Sequence, residues 1–195
     1  MTRPRVGVVA LQGGVREHIE LLASLDAVPV PLKQPTDLLG PDGLRVDAVV
    51  LPGGESSTID RLLKMFGLGE PLSEAIAAGL PTLGTCAGLI QLAARIEDPA
   101  PGQGCFGVLD VSVRRNAFGR QIDSAETRLE TAWGPAQVAF IRAPEVVTYG
   151  SSVTPVATLH DRIVAVTQGS ITGIAFHPEL TGETLFHRRL LDSIA

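Results

Sequence analysis

The chain has 195 residues, 45 % hydrophobic and 19 % charged, a balance that argues against an extended disordered segment and suffices to bury a full core. Its 16 basic residues against 21 acidic ones leave a net charge of −5, the wrong sign for a protein that grips a nucleic-acid backbone. Apolar runs such as Val6 to Leu11 fall far short of the ~20 residues a membrane helix needs, and Met1-Thr2-Arg3-Pro4-Arg5 is followed by no signal-peptide core of useful length.

Arg5 to Leu11 is a near-continuous apolar run, as in a strand buried on both faces of a parallel sheet. From Val15 to Leu25, the residues Val15, Ile19, Leu22 and Leu25 recur at helical spacing, with Arg16, Glu17 and Glu20 off that stripe. Val28 to Lys33 predicts a second strand, which Pro29 and Pro31 assign to a sheet edge. Asp47 to Leu51 predicts a third, running into Pro52-Gly53-Gly54-Glu55-Ser56-Ser57. Helices are predicted from about Ser57 to Phe66 and from Leu72 to Ala78, then a strand over Leu80 to Leu83 and a helix over Gly88 to Arg95. This alternation predicts an α/β fold with right-handed crossovers. Beyond the loop Asp98 to Gly104, β-like runs follow at Val108 to Val113, Glu126 to Thr131, Val138 to Arg142, Val153 to Leu159, Ile163 to Thr167 and Ile171 to Phe176, with a last helix over Glu183 to Ile194. No internal repeat or linker divides the chain, so one domain over 1–195 is expected.

Two cysteines, Cys86 and Cys105, make no disulfide framework, and no Cys/His cluster suggests zinc. A cytoplasmic protein without metal is the expectation. Cys86 sits in Gly84-Thr85-Cys86-Ala87-Gly88, between a predicted strand and a predicted helix. That is the cysteine form of a nucleophile elbow, whose glycines clear space around a sharp turn. The turn would lift the sulfur to the carboxyl end of the sheet, where a helix N-terminus favours the thiolate and the N–H of Ala87 faces a developing oxyanion. The same pentapeptide also fits a buried structural cysteine between packing glycines.

A thiolate nucleophile needs a base, and the base an orienting group. His18 and His187 lie within helical patterns and His160 in a polar turn, each simplest as a surface or boundary residue. His177 instead ends an apolar run, and Glu179, two residues on, can accept the second ring N–H and set the tautomer. An ordinary strand-ending turn reads the same way. The Gly53-Gly54 turn can present backbone N–H groups to an anion or carbonyl, with Glu55 and Ser56 beside it; no Gly-Lys-Ser/Thr follows to make it a phosphate loop.

Together these elements resemble the class I (triad) glutamine amidotransferases, and within them the glutaminase subunits of pyridoxal 5′-phosphate synthase. The resemblance rests on Leu11-Gln12-Gly13-Gly14-Val15-Arg16-Glu17-His18, Leu51-Pro52-Gly53-Gly54-Glu55-Ser56-Ser57-Thr58 and the elbow through Ile90. It rests more specifically on Arg115-Asn116-Ala117-Phe118-Gly119-Arg120-Gln121, Phe140-Ile141-Arg142-Ala143-Pro144 and Phe176-His177-Pro178-Glu179-Leu180-Thr181. The blocks run in the family's order over nearly the whole chain. Asp98 to Gly104 followed by Cys105 departs from the pattern and reads as a surface-loop variation.

The resemblance implies a flavodoxin-like, mainly parallel mixed sheet flanked by helices. It implies hydrolysis of L-glutamine to glutamate and ammonia by a Cys86, His177, Glu179 triad through a γ-glutamyl thioester, with no cofactor. Gly54 and Ala87 correspond to the oxyanion donors, and Gly54, Glu55, Ser56, Arg115, Ile141 and Arg142 to the glutamine contacts; a guanidinium suits the substrate's α-carboxylate. It further implies a (β/α)8-barrel synthase as partner in a large hetero-oligomer, receiving the ammonia, with Gln12 on the partner-facing, activating side. A glutaminase serving a different synthase is disfavoured by the Arg115 and Phe140 blocks. A non-enzymatic binding module with a reactive cysteine is disfavoured by the His177/Glu179 pair.

Overall fold

The computed structural model describes residues 3–118 and 125–194. In chain order the elements are β1 (Arg5–Val9), α1 (Val15–Ser24), β2 (Val28–Leu32), α2 (Pro35–Leu38), β3 (Leu39–Gly40), β4 (Gly43–Leu44), β5 (Ala48–Leu51), α3 (Ser56–Met65), α4 (Gly69–Ala77), β6 (Thr82–Thr85), α5 (Ala87–Leu92) and β7 (Ala93–Ile96). There follow β8 (Leu109–Arg114), β9 (Ala125–Thr131), β10 (Gly134–Phe140), β11 (Glu145–Tyr149), β12 (Thr154–Leu159), β13 (Arg162–Gln168), β14 (Ile171–Ile174) and α6 (Leu185–Asp192).

Ten strands form one mixed sheet in the order β2-β1-β5-β6-β14-β13-β11-β8-β7, with β12 paired to β13. From β2 to β14 every neighbour is parallel. The next steps, through β13 and β11 to β8, are antiparallel, and β7 closes the far edge parallel to β8. The pair β9–β10 forms a separate antiparallel ribbon. Pro29 and Pro31 do lie in the edge strand β2, where a missing N–H costs least. All four residues of β5 and of β6 are buried, which explains the unbroken apolar run of β5.

Five aromatic rings pack in a row. Phe118, Phe140, Phe176, Phe186 and Trp133 follow one another with centroids 5.6, 5.4, 5.1 and 5.9 Å apart, within the range of favourable tilted contacts. This row joins the ribbon end, the segment after β14 and α6. An isolated bridge between Ala139 and His177 fastens the same region, with His177 N–H donating to the Ala139 carbonyl at 2.8 Å.

Several expectations need correction. The helix after the elbow ends at Leu92 rather than Arg95, and Ala93–Ile96 is a strand. The cause is non-local: the N–H groups of Phe106, Val108 and Gly107 take the carbonyls of Gln91, Leu92 and Ala93. The strand expected over Val138 to Arg142 is β10 and stops at Phe140, because Arg142 adopts φ 43°, outside strand geometry. Strand β11 was not anticipated, nor were α2 and the short β3–β4 pair. No helix among the described residues is long and apolar enough to cross a membrane.

Candidate active site

The cysteine elbow forms as a strained turn. Cys86 follows β6 directly and caps α5 with φ 49° and ψ −100°, a conformation that a side-chain-bearing residue holds only when its surroundings impose it. Its N–H donates to the Ile174 carbonyl at 2.7 Å, tying the elbow to the end of β14. A Cβ on Gly88 would run into the Leu51 carbonyl oxygen, so the glycine lets α5 press onto β5. The N–H of Ala87, in the first turn of α5, has no intrahelical acceptor to bind.

His177 lies three residues beyond β14, the sheet neighbour of β6, so both side chains emerge at adjacent strand ends. Its Nδ1–H donates to Glu179 Oε1 at 2.8 Å, and the Glu179 side chain is fully buried. Burial opposes a charge on His177, yet the adjoining Cys86 sulfur and Glu179 carboxylate outweigh it and raise the imidazole to about 10. The Cys86 thiol itself reaches the Ile141 carbonyl at 3.9 Å. Gly53 completes the packing: a Cβ there would strike the His177 ring and come within 3.3 Å of Cys86 Cβ.

The Gly53–Gly54 peptide is gripped by the loop after β1. Gly14 N–H donates to the Gly53 carbonyl at 3.0 Å, which leaves the N–H of Gly54 on the opposite edge of that peptide. Gln12 Oε1 accepts from the Glu55 N–H at 2.8 Å. Gln12 is thus half-buried against the glycine turn rather than a free polar loop residue. Glu55 caps α3, its carboxylate accepting from Ser57 Oγ and the Thr58 N–H. Burial opposes its charge, but these hydrogen bonds bring it down to about 2.

A cleft of about 510 Å³ opens above these groups. It is lined by Gln12, Gly54, Glu55, Ser56, Cys86, Arg115, Ile141, Arg142, His177 and Glu179 among others, so every residue assigned a role by the resemblance except Ala87 borders it. Gly119, Arg120 and Gln121 of the Arg115 block lie outside the described residues. The segment Asp98 to Gly104, expected to be a mere surface variation, is structurally engaged. Asp98 accepts the Arg115 N–H at 2.9 Å, and Gln103 accepts from the Arg115 guanidinium while donating to Ser56 Oγ at 3.0 Å. Nothing in the residue pattern links Gln103 to Arg115 and Ser56, since the contact depends on how the loop folds back over α3.

Two histidines depart from the sequence expectation of a surface or boundary position. His18 and His187 are fully buried rather than at the surface, and they meet each other at 2.8 Å behind Glu179. His18 falls on the apolar stripe one turn after Val15 and beside Ile19, a spacing that could have flagged it. His160 is exposed in a turn, as expected.

A model of the SNO glutamine amidotransferase family matches residues 8–194. The chain belongs to that family. It is 49 % identical over 201 residues to the pyridoxal 5′-phosphate synthase subunit PdxT of Acidothermus cellulolyticus, covering 99 % of this chain and 95 % of that one. It is 50 % identical over 189 residues to the subunit of the same name from Corynebacterium diphtheriae, covering 97 % and 99 %. A crystal structure of a glutamine amidotransferase matches with a TM-score of 0.86 at 40 % identity, over 97 % of this chain and 98 % of that one. The mixed sheet flanked by helices is therefore the amidotransferase fold, and the chain is an enzyme of that family.

Proposed function

We propose that this chain hydrolyses L-glutamine to L-glutamate and ammonia, as the glutaminase subunit that feeds a pyridoxal 5′-phosphate synthase. The observation that carries the reading is Cys86 held in a strained elbow against His177, whose Nδ1–H is bonded to the buried Glu179. The chemistry follows from the charges. The Cys86 thiolate attacks the side-chain amide carbon of glutamine, and the oxyanion that forms meets the N–H groups of Gly54 and Ala87. His177, raised to about 10, is protonated at neutral pH and can give its Nε2 proton to the departing nitrogen, releasing ammonia and a γ-glutamyl thioester. The neutral imidazole then takes a proton from water, whose oxygen attacks the thioester carbonyl; glutamate leaves and the thiolate is restored. Glu179 keeps Nδ1 as the donor throughout and offsets the imidazolium charge.

Arg115 and Arg142 suit the substrate's carboxylate, while Ile141 and the backbone of Gly54, Glu55 and Ser56 line the same cleft. Since the Glu55 carboxylate caps α3, the turn offers backbone groups to the substrate. Ammonia is largely protonated at neutral pH and then no nucleophile, which favours direct hand-over to a bound (β/α)8-barrel synthase in a hetero-oligomer. Gln12 reaches the Glu55 N–H in the turn that carries the oxyanion donor, so a partner pressing on the loop after β1 would act on that turn. The test is ammonia release from glutamine by the full chain, alone and titrated with the synthase subunit. Stimulation by the synthase, diminished in Gln12→Ala, is expected. No release under either condition would overturn the assignment.

A further inference from the structure

Behind the triad lies a buried polar cluster that the mechanism above does not use. His18, on α1, has no exposed surface, and its Nε2 is 3.2 Å from Thr85 Oγ1 and 3.6 Å from Glu179 Oε1. Its Nδ1 is 2.8 Å from Nε2 of His187, on α6, which is also fully buried. Two atoms of the cluster have no hydrogen-bond partner among the described residues, His187 Nδ1 and Glu179 Oε2. His18 thus touches the residue preceding the elbow cysteine, the carboxylate that orients His177, and a second imidazole.

One arrangement of protons suits these contacts better than the other. Both rings are neutral, since burial, followed by the neighbouring His187 and His177, holds His18 well below 6.5, and burial brings His187 to about 4. One ring must therefore donate across the 2.8 Å contact and the other accept. If His18 donated from Nδ1, its bare Nε2 lone pair would face the Glu179 carboxylate, and His187 would carry its proton on the unpartnered Nδ1. A buried N–H without an acceptor is among the rarest features of folded proteins. If His187 donates from Nε2, the orphaned atom is a lone pair only, and His18 turns an Nε2–H toward Glu179 and Thr85. The second arrangement removes both penalties.

Resting on the triad reading above, we propose that His18 is a positioning residue for Glu179: held in its Nε2–H tautomer by His187, it presents a fixed N–H dipole to the carboxylate that orients His177. The contact at 3.6 Å is a charge–dipole interaction rather than a full hydrogen bond, and in a dry interior such an interaction is weakly screened. It falls on Oε1, the same carboxylate oxygen that accepts the bond from His177. Because α1 begins at Val15, directly after the loop that grips Gly53 and Glu55, His18 also sets the triad carboxylate in register with that loop.

The test compares steady-state glutaminase kinetics of the full chain with its synthase partner. His18→Leu removes the N–H at similar bulk and is expected to lower kcat ~10-fold with KM held within ~2-fold, and His18→Gln, which keeps an amide N–H near the Nε2 position, to restore most of it. In a Glu179→Gln background, His18→Leu is expected to add less than ~2-fold, since both changes act through one group. Wild-type kcat in folded His18→Leu, or fully additive losses, overturns the proposal. Should that variant not fold, His187→Leu, which frees the His18 tautomer, is expected to give a smaller loss in kcat at unchanged KM, and no loss overturns the proposal. Imidazole 15N spectra give a readout independent of turnover: a neutral Nε2–H tautomer at His18 and His187 supports the proposal, and an Nδ1–H or protonated His18 at neutral pH overturns it. A wild-type chain that releases no ammonia but shows these tautomers would overturn the proposed function while leaving the arrangement of His18 and Glu179 standing.

Discussion

The four neighbouring parallel strands β1, β5, β6 and β14 and the rest of the molecule contribute differently to the cleft. Each of these four strands ends in a segment that lines the cleft: Gln12 to Gly14 after β1, Gly53–Gly54 after β5, Cys86 after β6 and His177 after β14. The rest of the molecule supplies Arg115 after β8, Ile141 and Arg142 after β10, and the loop Asp98 to Gly104, whose Asp98 and Gln103 bind Arg115. The difference teaches that a parallel sheet converges several chain segments on one edge, where bond-making groups need fixed mutual geometry. Groups that only hold a substrate tolerate delivery by ribbons and loops.

Substitutions in the two regions should accordingly separate kcat from KM. The largest effect is expected at the parallel edge. Cys86→Ala and His177→Asn should lower kcat by ~10⁴-fold or more, and Glu179→Gln by at least ~10-fold less, with circular dichroism unchanged. Substantial turnover in folded Cys86→Ala would break the division outright. Outside the parallel edge, Arg115→Ala should raise KM for glutamine by ~10–100-fold, the value of a charged hydrogen bond, while kcat stays within a few-fold. Gln103→Ala, removing only the support of that guanidinium, should raise KM by ~2–5-fold.

A milder test uses pH. His187, in α6, is lowered to about 4 against 6.5 when unfolded, so the unfolded chain binds the additional proton between those values. Stability should therefore fall as pH drops from about 6.5 toward about 4, measured by urea unfolding. His187→Leu should flatten that slope; an unchanged slope would show that other groups govern it. The smallest effect is expected at Cys105, half-buried and outside the cleft lining, where burial and then Asp60 push the thiol up. Cys105→Ser should leave glutaminase activity within ~2-fold.

Much of the parallel region was legible in advance because its signals are local. Buried strands such as Ala48–Leu51 read as unbroken apolar runs, and the glycines at 84 and 88 mark a tight turn whatever the rest of the chain does. Pro29 and Pro31 announced an edge for the same reason. The other region was less legible. Strand β11 is half exposed and irregular, paired with β8 across a register shift, and its pattern carries no clean alternation. The end of α5 was missed because carbonyls of Gln91 to Ala93 are taken by a loop more than ten residues downstream.

The sequence by itself determined the kind of fold, the elbow that lifts Cys86 and the pairing of His177 with Glu179, since each depends on residues within a few positions of one another. Tertiary structure alone decided that Gln12 reaches the Glu55 N–H, that Gln103 links Arg115 to Ser56, and that His18 and His187 meet behind the Glu179 carboxylate. Those contacts join residues distant along the chain, and a hydrogen bond depends on the final separation and angle of its atoms, which no local pattern encodes. A histidine in a helix reads the same whether it faces water or a buried carboxylate; the packing of α1 and α6 against the strand ends made His18 part of the site.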